Sequence, residues 1–112
     1  DSSTSRGLGD VYKRQQYKVW TCFPYEDSHS VEVYRIDIEP GGVYMSGSHG
    51  EKTREYITVT EGVLTIECHG HTQTINKDQV YKFETDQAHI YRNEGAEMVS
   101  CTCFFLDYTG LR

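Results

Sequence analysis

The chain has 112 residues and a formal net charge of −6, a length that fits one domain burying roughly two thirds of its unfolded surface. An acidic domain does not attract phosphate backbones, so we expect no direct binding to nucleic acid. No apolar run is long enough to cross a bilayer, and we expect a cytoplasmic protein with no membrane association. Nine tyrosines and four phenylalanines, with only two prolines, favour a β-rich domain.

The first 15 residues, DSSTSRGLGDVYKRQ, are polar and have no periodic pattern. Such a segment is typical of a disordered linker, and it also resembles translated adapter sequence. We therefore predict that residues 1–15 are non-native or disordered, and that one domain spans residues 16–110.

Short runs of alternating or β-branched residues follow, separated by turn residues such as Glu61-Gly62. No window has a period of 3.6 residues, so no helix is predicted. An all-β sandwich or small barrel follows, although the spacing leaves open a jelly roll or another sandwich. The predicted strands are Tyr17–Phe23, Val31–Ile38, Val43–Met45, Glu55–Thr60, Val63–Cys68, His71–Ile75, Gln79–Phe83, Ala88–Arg92 and Met98–Leu106.

Four cysteines are present: Cys22, Cys68, Cys101 and Cys103. None belongs to a C-x-x-C pair, which excludes zinc-ribbon and thioredoxin-like sites. Two residues apart on one strand, Cys101 and Cys103 share a face and are poorly placed to bond each other. We expect buried, reduced thiols.

Two segments resemble the conserved motifs of the cupin superfamily. Glu55–Gly62 is similar to the second half of cupin motif one, and Gly42 and His49 match its opening glycine and one of its histidines. Ala88–Asn93 is similar to the end of motif two. The resemblance covers about residues 31–106, and it implies a single RmlC-like jelly roll of antiparallel strands.

One branch of the superfamily is more similar than the others. Val33–Arg35, Pro40–Gly42 and His89–Asn93 resemble the C-terminal cupin domain of bacterial XRE-family transcriptional regulators. That resemblance implies a small-molecule-sensing and dimerising module, a homodimer, whose DNA-binding helix-turn-helix is absent from this chain. The alternative is a stand-alone metal-dependent cupin enzyme of the isomerase or dioxygenase type, and a purely structural cupin is a third possibility.

The resemblance also implies the candidate site. The predicted ligand pocket comprises His49, Glu55, Tyr56, His89 and Tyr91. His49, Glu55 and His89 would be the metal ligands, because imidazole and carboxylate suit a divalent transition metal. Gly47 stands where the motif has a second histidine, so the ligand set is incomplete. We expect either weak metal binding or hydrogen bonding by these side chains, with no catalytic residue assigned.

Other polar residues have less specific predictions. His69 and His71 flank the hairpin glycine Gly70 and are predicted to be solvated turn residues. Arg54 and Arg92 either attract a carboxylate-bearing metabolite or lie exposed on an acidic surface. We identify no nucleophile–base pair and no glycine-rich phosphate loop in the sequence.

Overall fold

The computed structural model describes residues 11–13, 16–23 and 31–109, and within these ranges the chain forms only strands, turns and extended segments. This part of the chain therefore contains no helix long and apolar enough to cross a membrane. The ten strands are β1 Val11–Lys13, β2 Tyr17–Phe23, β3 Val31–Ile38, β4 Val43–Ser46, β5 Thr53–Glu61, β6 Leu64–Cys68, β7 His71–Ile75, β8 Val80–Glu84, β9 His89–Arg92 and β10 Val99–Asp107.

The strands form two sheets. One has six strands in the order β1-β2-β3-β10-β5-β8, and the other has four in the order β4-β9-β6-β7. Every paired strand is antiparallel, which confirms the predicted all-β antiparallel class. The predicted bounds of β2, β3 and β7 are reproduced, and the other predicted strands differ by one or two residues at one or both ends.

Alternation along the strands builds the core between the sheets. On β5 the buried residues are every second one, from Thr53 to Val59, because successive side chains point to opposite faces. Each fully buried aliphatic side chain contributes about 1.5–3 kcal/mol to folding. The fully buried aliphatic residues include Ile36, Ile38, Ile57, Val59, Leu64, Ile66 and Val99.

The described part of the N-terminal segment contains one strand that was not predicted, and the non-native or disordered character of residues 1–15 stays a prediction. Residues 1–10 and 14–15 lie outside the described part of the chain. Val11–Lys13, however, form a strand whose register pairs Val11 with Trp20 of β2. The first strand of the sheet therefore begins before Tyr17, and β2 is covered on both sides by β1 and β3.

Asn93, at the end of β9, joins the loops around it. Its amide Nδ2 donates to the carbonyl oxygens of Ile38, at 2.8 Å, and Glu97, at 2.7 Å. Its backbone N–H donates to Gly42, and its own carbonyl accepts from Gly41. Because Asn93 is buried, these bonds fix the position of β9 and of its two buried side chains, His89 and Tyr91.

Asp78 lies in the turn between β7 and β8. Aspartate tolerates tight-turn conformations better than most residues. In the structure Asp78 has a φ of 70°, in the left-handed region that glycine and aspartate adopt more easily than other residues. Its N–H donates to the carbonyl of Val59, so the turn closes on β5.

Candidate functional site in the barrel

Glu55 is a fully buried carboxyl group on the larger sheet. It lies on β5 between β10 and β8, on the inward face, and none of its surface is exposed. The Tyr91 hydroxyl donates to Glu55 Oε1 at 2.6 Å. Burial raises the pKa of Glu55 to about 8, although hydrogen bonds from Tyr91 and Cys103 oppose the shift. At neutral pH this carboxyl group therefore retains its proton.

His89 lies beside Glu55 with one ring nitrogen unpaired. Its Nδ1 is 2.9 Å from the carbonyl oxygen of Gln87, and a carbonyl only accepts, so Nδ1 carries the ring proton. The other nitrogen, Nε2, is 3.7 Å from Glu55 Oε1. Burial lowers the pKa of His89, which keeps the ring neutral and leaves a lone pair on Nε2.

Two buried polar atoms of this cluster have no hydrogen-bond partner among the described residues: His89 Nε2 and Glu55 Oε2. Unpaired buried polar atoms are rare in native proteins, since each costs about 1–3 kcal/mol. Such a pair indicates a place where a ligand or water supplies the missing partner.

A cavity of about 150 Å³ lies next to this cluster. Its wall is mostly aromatic: the Tyr44 and Tyr91 rings stack with centroids 5.3 Å apart, and the His49 ring lies 4.2 Å from that of Phe105. Tyr91 therefore both lines the cavity and bonds Glu55 behind it. The lining residues are Val19, Tyr34, Ile36, Tyr44, Ser46, His49, Tyr91 and Phe105, and none of them is Lys, Arg, Asp or Glu.

His49 reaches the cavity from the loop after β4. Its backbone N–H donates to the carbonyl of Thr85 at 2.8 Å, which fixes that loop to the turn before β9. Its ring centroid is 5.5 Å from that of His89, and its Nε2 is 3.4 Å from Ser46 Oγ. Desolvation, and then the proximity of His89, lowers the pKa of His49.

The structure thus brings together four of the five predicted pocket residues: Glu55, His89, Tyr91 and, at the cavity, His49. Tyr56 is not among them. It follows Glu55 on β5 and so faces the other side of the sheet, where its hydroxyl accepts from Arg54 Nη1 at 3.4 Å.

The two arginines near the motifs also point outward. Arg54 Nε bonds Glu84 at 2.8 Å, and Arg92 bonds both Glu67 and Glu94. Partly exposed ion pairs of this kind contribute roughly 0–1 kcal/mol. Neither arginine lines the cavity. The positions of Arg54 and Arg92 therefore fit arginines on the protein surface, and neither is placed to attract a carboxylate into the pocket.

A metal ion would need three converging donors. Glu55 Oε2 and His89 Nε2 are unpaired donor atoms that suit a divalent cation. Among the described residues, however, no three His, Cys, Asp or Glu side chains are arranged to hold a metal ion. The residues present thus do not complete a three-ligand site in this arrangement, and the predicted metal ligation by His49, Glu55 and His89 stays a prediction.

Comparison with known proteins identifies the fold family. The sequence profile of the Cupin domain family matches residues 34–105, which is more than half of the chain. The chain belongs to the cupin family. Its two sheets, its cavity and its inward Glu55 and His89 are therefore features of a cupin barrel.

The relatives of this cupin domain include transcriptional regulators. It is 32% identical over 91 residues to the HTH-type transcriptional regulator SutR of Escherichia coli strain K12, covering 80% of this chain and 51% of that protein. The chain thus spans about half the length of the curated relative it matches.

Solved structures of transcriptional regulators are also similar to this chain. The cupin domain of an XRE-family transcriptional regulator from Enterobacter cloacae superposes with a TM-score of 0.77 at 26% identity, covering 82% of this chain and 97% of that one. An HTH_3-family regulator from Vibrio cholerae superposes with a TM-score of 0.74 at 24% identity, covering 81% of this chain and 51% of that one. The domain is thus homologous to the cupin part of helix-turn-helix regulators.

Sequence reasoning did not assign the cavity residues Tyr34 and Phe105 to the site. Tyr34 could have been assigned to the inward face from the sequence, because it lies two residues before the buried Ile36 on β3 and shares its face. That Phe105 meets His49 could not be read from spacing, since the contact joins β10 to a loop more than fifty residues away in the sequence.

Proposed function

We propose that this chain is the small-molecule-sensing and dimerising cupin domain of a bacterial transcriptional regulator that acts in the cytoplasm. The observation that carries the proposal is the aromatic cavity with two unpaired buried polar atoms behind it. A cavity of this size accepts roughly the volume of a benzene ring. Homology to regulators supports a sensing role for such a pocket.

The cavity also restricts the effector. Its lining contains no charged side chain, which disfavours a fully charged group inside it. Aromatic faces favour a flat or apolar body, and Ser46 and His49 are lining residues whose side chains can hydrogen-bond a polar group of the effector. Beyond Tyr91, a polar group of the effector would have to pair with His89 Nε2 and Glu55 Oε2. We therefore expect a small, largely uncharged effector with one hydrogen-bonding end.

A thermal-shift screen tests the sensing role, with small uncharged compounds such as sugars as the expected binders and amino acids, polyamines and small acids as charged comparisons. A ligand that binds only the folded state stabilises it by about 2.7 kcal/mol at one hundred times its Kd, so a true effector should raise the melting temperature by several degrees. We expect His49→Ala, at the cavity wall, to remove most of that gain. His71→Ala, on the exposed face of β7, is the matched control and should keep it.

Two results would contradict the sensing role of this cavity. A gain that survives His49→Ala and Tyr44→Ala would place the binding site elsewhere and contradict the pocket assignment. No gain with any compound class would count against sensing through this cavity.

The enzyme alternative rests on the same cluster. A neutral imidazole 3.7 Å from a protonated carboxyl group is an acid–base pair of the kind that moves protons during isomerisation. Each screening hit should therefore be incubated with the protein and followed for product. Turnover that is lost in His89→Gln would favour the stand-alone cupin enzyme, and a ligand recovered unchanged would favour the sensor.

The homodimer requires a self-complementary surface. The outer face of the larger sheet offers an apolar row in which Phe104 lies directly opposite Val33 on one side and Tyr56 on the other. Phe104 is 40% exposed in the single chain, and we propose that a second copy covers this row.

Light scattering at high micromolar concentration should give the mass of a dimer, and Phe104→Glu should shift it toward the monomer, since a buried unpaired carboxylate is costly. Val80→Glu is the control, because Val80 is more exposed, at 69%, but lies on the edge strand β8. A monomer for the unsubstituted chain, or a dimer unaffected by Phe104→Glu, would contradict this interface.

A further inference from the structure

A second group of polar side chains lies at the hairpin between β6 and β7, where Cys68 is buried and His69 and Asp86 are exposed. Cys68 Sγ is 3.6 Å from His69 Nδ1, and His69 Nε2 is 2.8 Å from Asp86 Oδ1. Asp86 belongs to the turn between β8 and β9, so two separate segments assemble the group. A thiol, an imidazole and a carboxylate in this order form the arrangement used for activated nucleophiles.

The hydrogen bonds determine the tautomer of His69. A carboxylate only accepts, so His69 Nε2 carries the ring proton and donates it to Asp86. In this tautomer the lone pair lies on Nδ1, the atom that faces Cys68. Among the described residues, the thiol has one other acceptor within reach, the carbonyl oxygen of Glu84 at 3.9 Å. His69 is the nearer of the two, and it alone can take up the thiol proton.

The backbone supports this placement. His69 has a φ of 55°, in the left-handed region that few non-glycine residues adopt. In this conformation the His69 ring contacts both the preceding Cys68 and Asp86. Ser48 Oγ donates to the backbone carbonyl of Asp86 at 2.8 Å, which holds the carboxylate-bearing turn in place.

The thiol borders a space where a reagent can fit. A groove of about 270 Å³ is lined by Cys68, His69 and Gly70 from the hairpin, and by Gln87 and Ala88 from the turn after Asp86. Burial, and then the Asp86 carboxylate, raises the pKa of the Cys68 thiol. The resting group is thus the neutral thiol, which needs an adjacent base to become the nucleophilic thiolate.

We propose that Cys68 is a modification site that reacts with small, uncharged α,β-unsaturated carbonyl compounds, with His69 as its base and Asp86 as the residue that positions His69. A new S–C bond forms at the β-carbon of the alkene, and the π electron pair moves to the carbonyl oxygen as an enolate. The thiol proton passes to His69 Nδ1 and then to the α-carbon. The net reaction adds S–H across the double bond, with no leaving group and no oxidant.

This inference does not rest on the proposed sensing function, because it concerns a covalent reaction at Cys68, although the groove beside Cys68 is also lined by Ser46 and His89 of the candidate site. N-ethylmaleimide is a suitable probe because it is small, uncharged and reacts by the same addition. The chain provides its own references: Cys22 is exposed, and Cys101 and Cys103 have no exposed surface. Peptide mass spectrometry after short exposures gives the labelling rate of each cysteine in one sample.

We expect Cys68 to be labelled in the folded protein while Cys101 and Cys103 remain unlabelled. His69→Asn should slow labelling of Cys68 at least about tenfold relative to Cys22, in line with loss of a general base. Asparagine tolerates the left-handed backbone conformation but cannot take up the proton. If the substitution merely loosened the hairpin, labelling of Cys68 would become faster, so the direction of the change separates the two causes.

The positioning role of Asp86 is tested by comparing two substitutions at that residue. Asp86→Ala should slow Cys68 labelling, because nothing then orients the His69 ring, while Asp86→Asn retains an acceptor oxygen for His69 Nε2 and should restore most of the rate. The proposal is overturned if Cys68 is unlabelled in the unsubstituted protein, or if His69→Asn leaves the ratio of Cys68 to Cys22 labelling unchanged or higher. Equal rates for Asp86→Ala and Asp86→Asn would remove Asp86 from the group.

Discussion

Replacing Glu55 by glutamine should stabilise the domain at pH 7.5 and leave its stability nearly unchanged at pH 5. The folded protein holds the Glu55 proton up to a pKa of about 8, whereas the ordinary value is 4.5. Between these values the unfolded chain binds fewer protons than the folded one, so the free energy of unfolding falls as pH rises. Each pH unit across that window costs about 1.4 kcal/mol.

Between the ordinary and the raised pKa of Glu55, the free energy of unfolding falls by a total on the order of 4 kcal/mol. This is a large fraction of a typical domain stability of about 5–15 kcal/mol. Glutamine is neutral in both states and keeps an oxygen that can accept from the Tyr91 hydroxyl. Its free energy of unfolding should therefore lack this decline above pH 5. The lowered pKa values of His49 and His89 destabilise both proteins at low pH and largely cancel in the difference.

Urea unfolding at pH 5, 6, 7 and 8 measures the effect. The difference between Glu55→Gln and the unsubstituted protein should be small at pH 5 and grow steadily toward pH 8. Glu51→Gln is the matched control, since Glu51 is exposed and the same substitution there should change neither the stability nor its pH dependence. Parallel curves for Glu55→Gln and the unsubstituted protein would contradict a buried carboxyl group that remains protonated.

The sequence predicted the strands better than the contacts between them. The alternation of side chains along β2 is a local feature of the sequence, and so are the turn residues at Glu61-Gly62 and Asn76–Asp78. The bounds of β2, β3 and β7 therefore followed directly. The short strand β1 was missed because three residues in a polar segment have no periodicity to detect, and only pairing with β2 makes them a strand.

The candidate site was predicted through motif resemblance, and its errors have a physical cause. Glu55, His89 and Tyr91 are inward residues of their strands and converge as the motifs imply. Tyr56 does not, because adjacent strand residues cannot face the same side. That rule was available from the sequence alone.

The hairpin group at Cys68 and His69 was not predicted at all. His69 was expected to be a solvated turn residue, and no nucleophile–base pair was identified. The neighbouring positions were visible, but Asp86, which orients the imidazole, comes from another turn 17 residues away. The four cysteines were expected to be buried, and Cys22 is instead exposed, on a strand whose outer face meets solvent.

Two hairpin glycines allow the cost of steric overlap to be separated from the cost of backbone conformation. Gly62 and Gly70 have similar φ values, 78° and 74°, so an alanine at either position is forced into the left-handed region at about 1–2 kcal/mol. A Cβ at Gly70 would meet nothing within 4 Å, whereas one at Gly62 would lie 2.5 Å from the carbonyl oxygen of Met98.

That oxygen belongs to the backbone at the start of β10, the strand between β3 and β5, so it cannot rotate away as a side chain could. Gly70→Ala should thus lower the free energy of unfolding by about 1–2 kcal/mol, and Gly62→Ala by roughly 3–5 kcal/mol, because overpacking adds to the same conformational cost. Urea unfolding of both variants measures the difference directly. Equal losses would mean that β10 shifts to accommodate the methyl group, while a Gly62→Ala chain that fails to fold beside a folded Gly70→Ala would be the predicted effect at its largest.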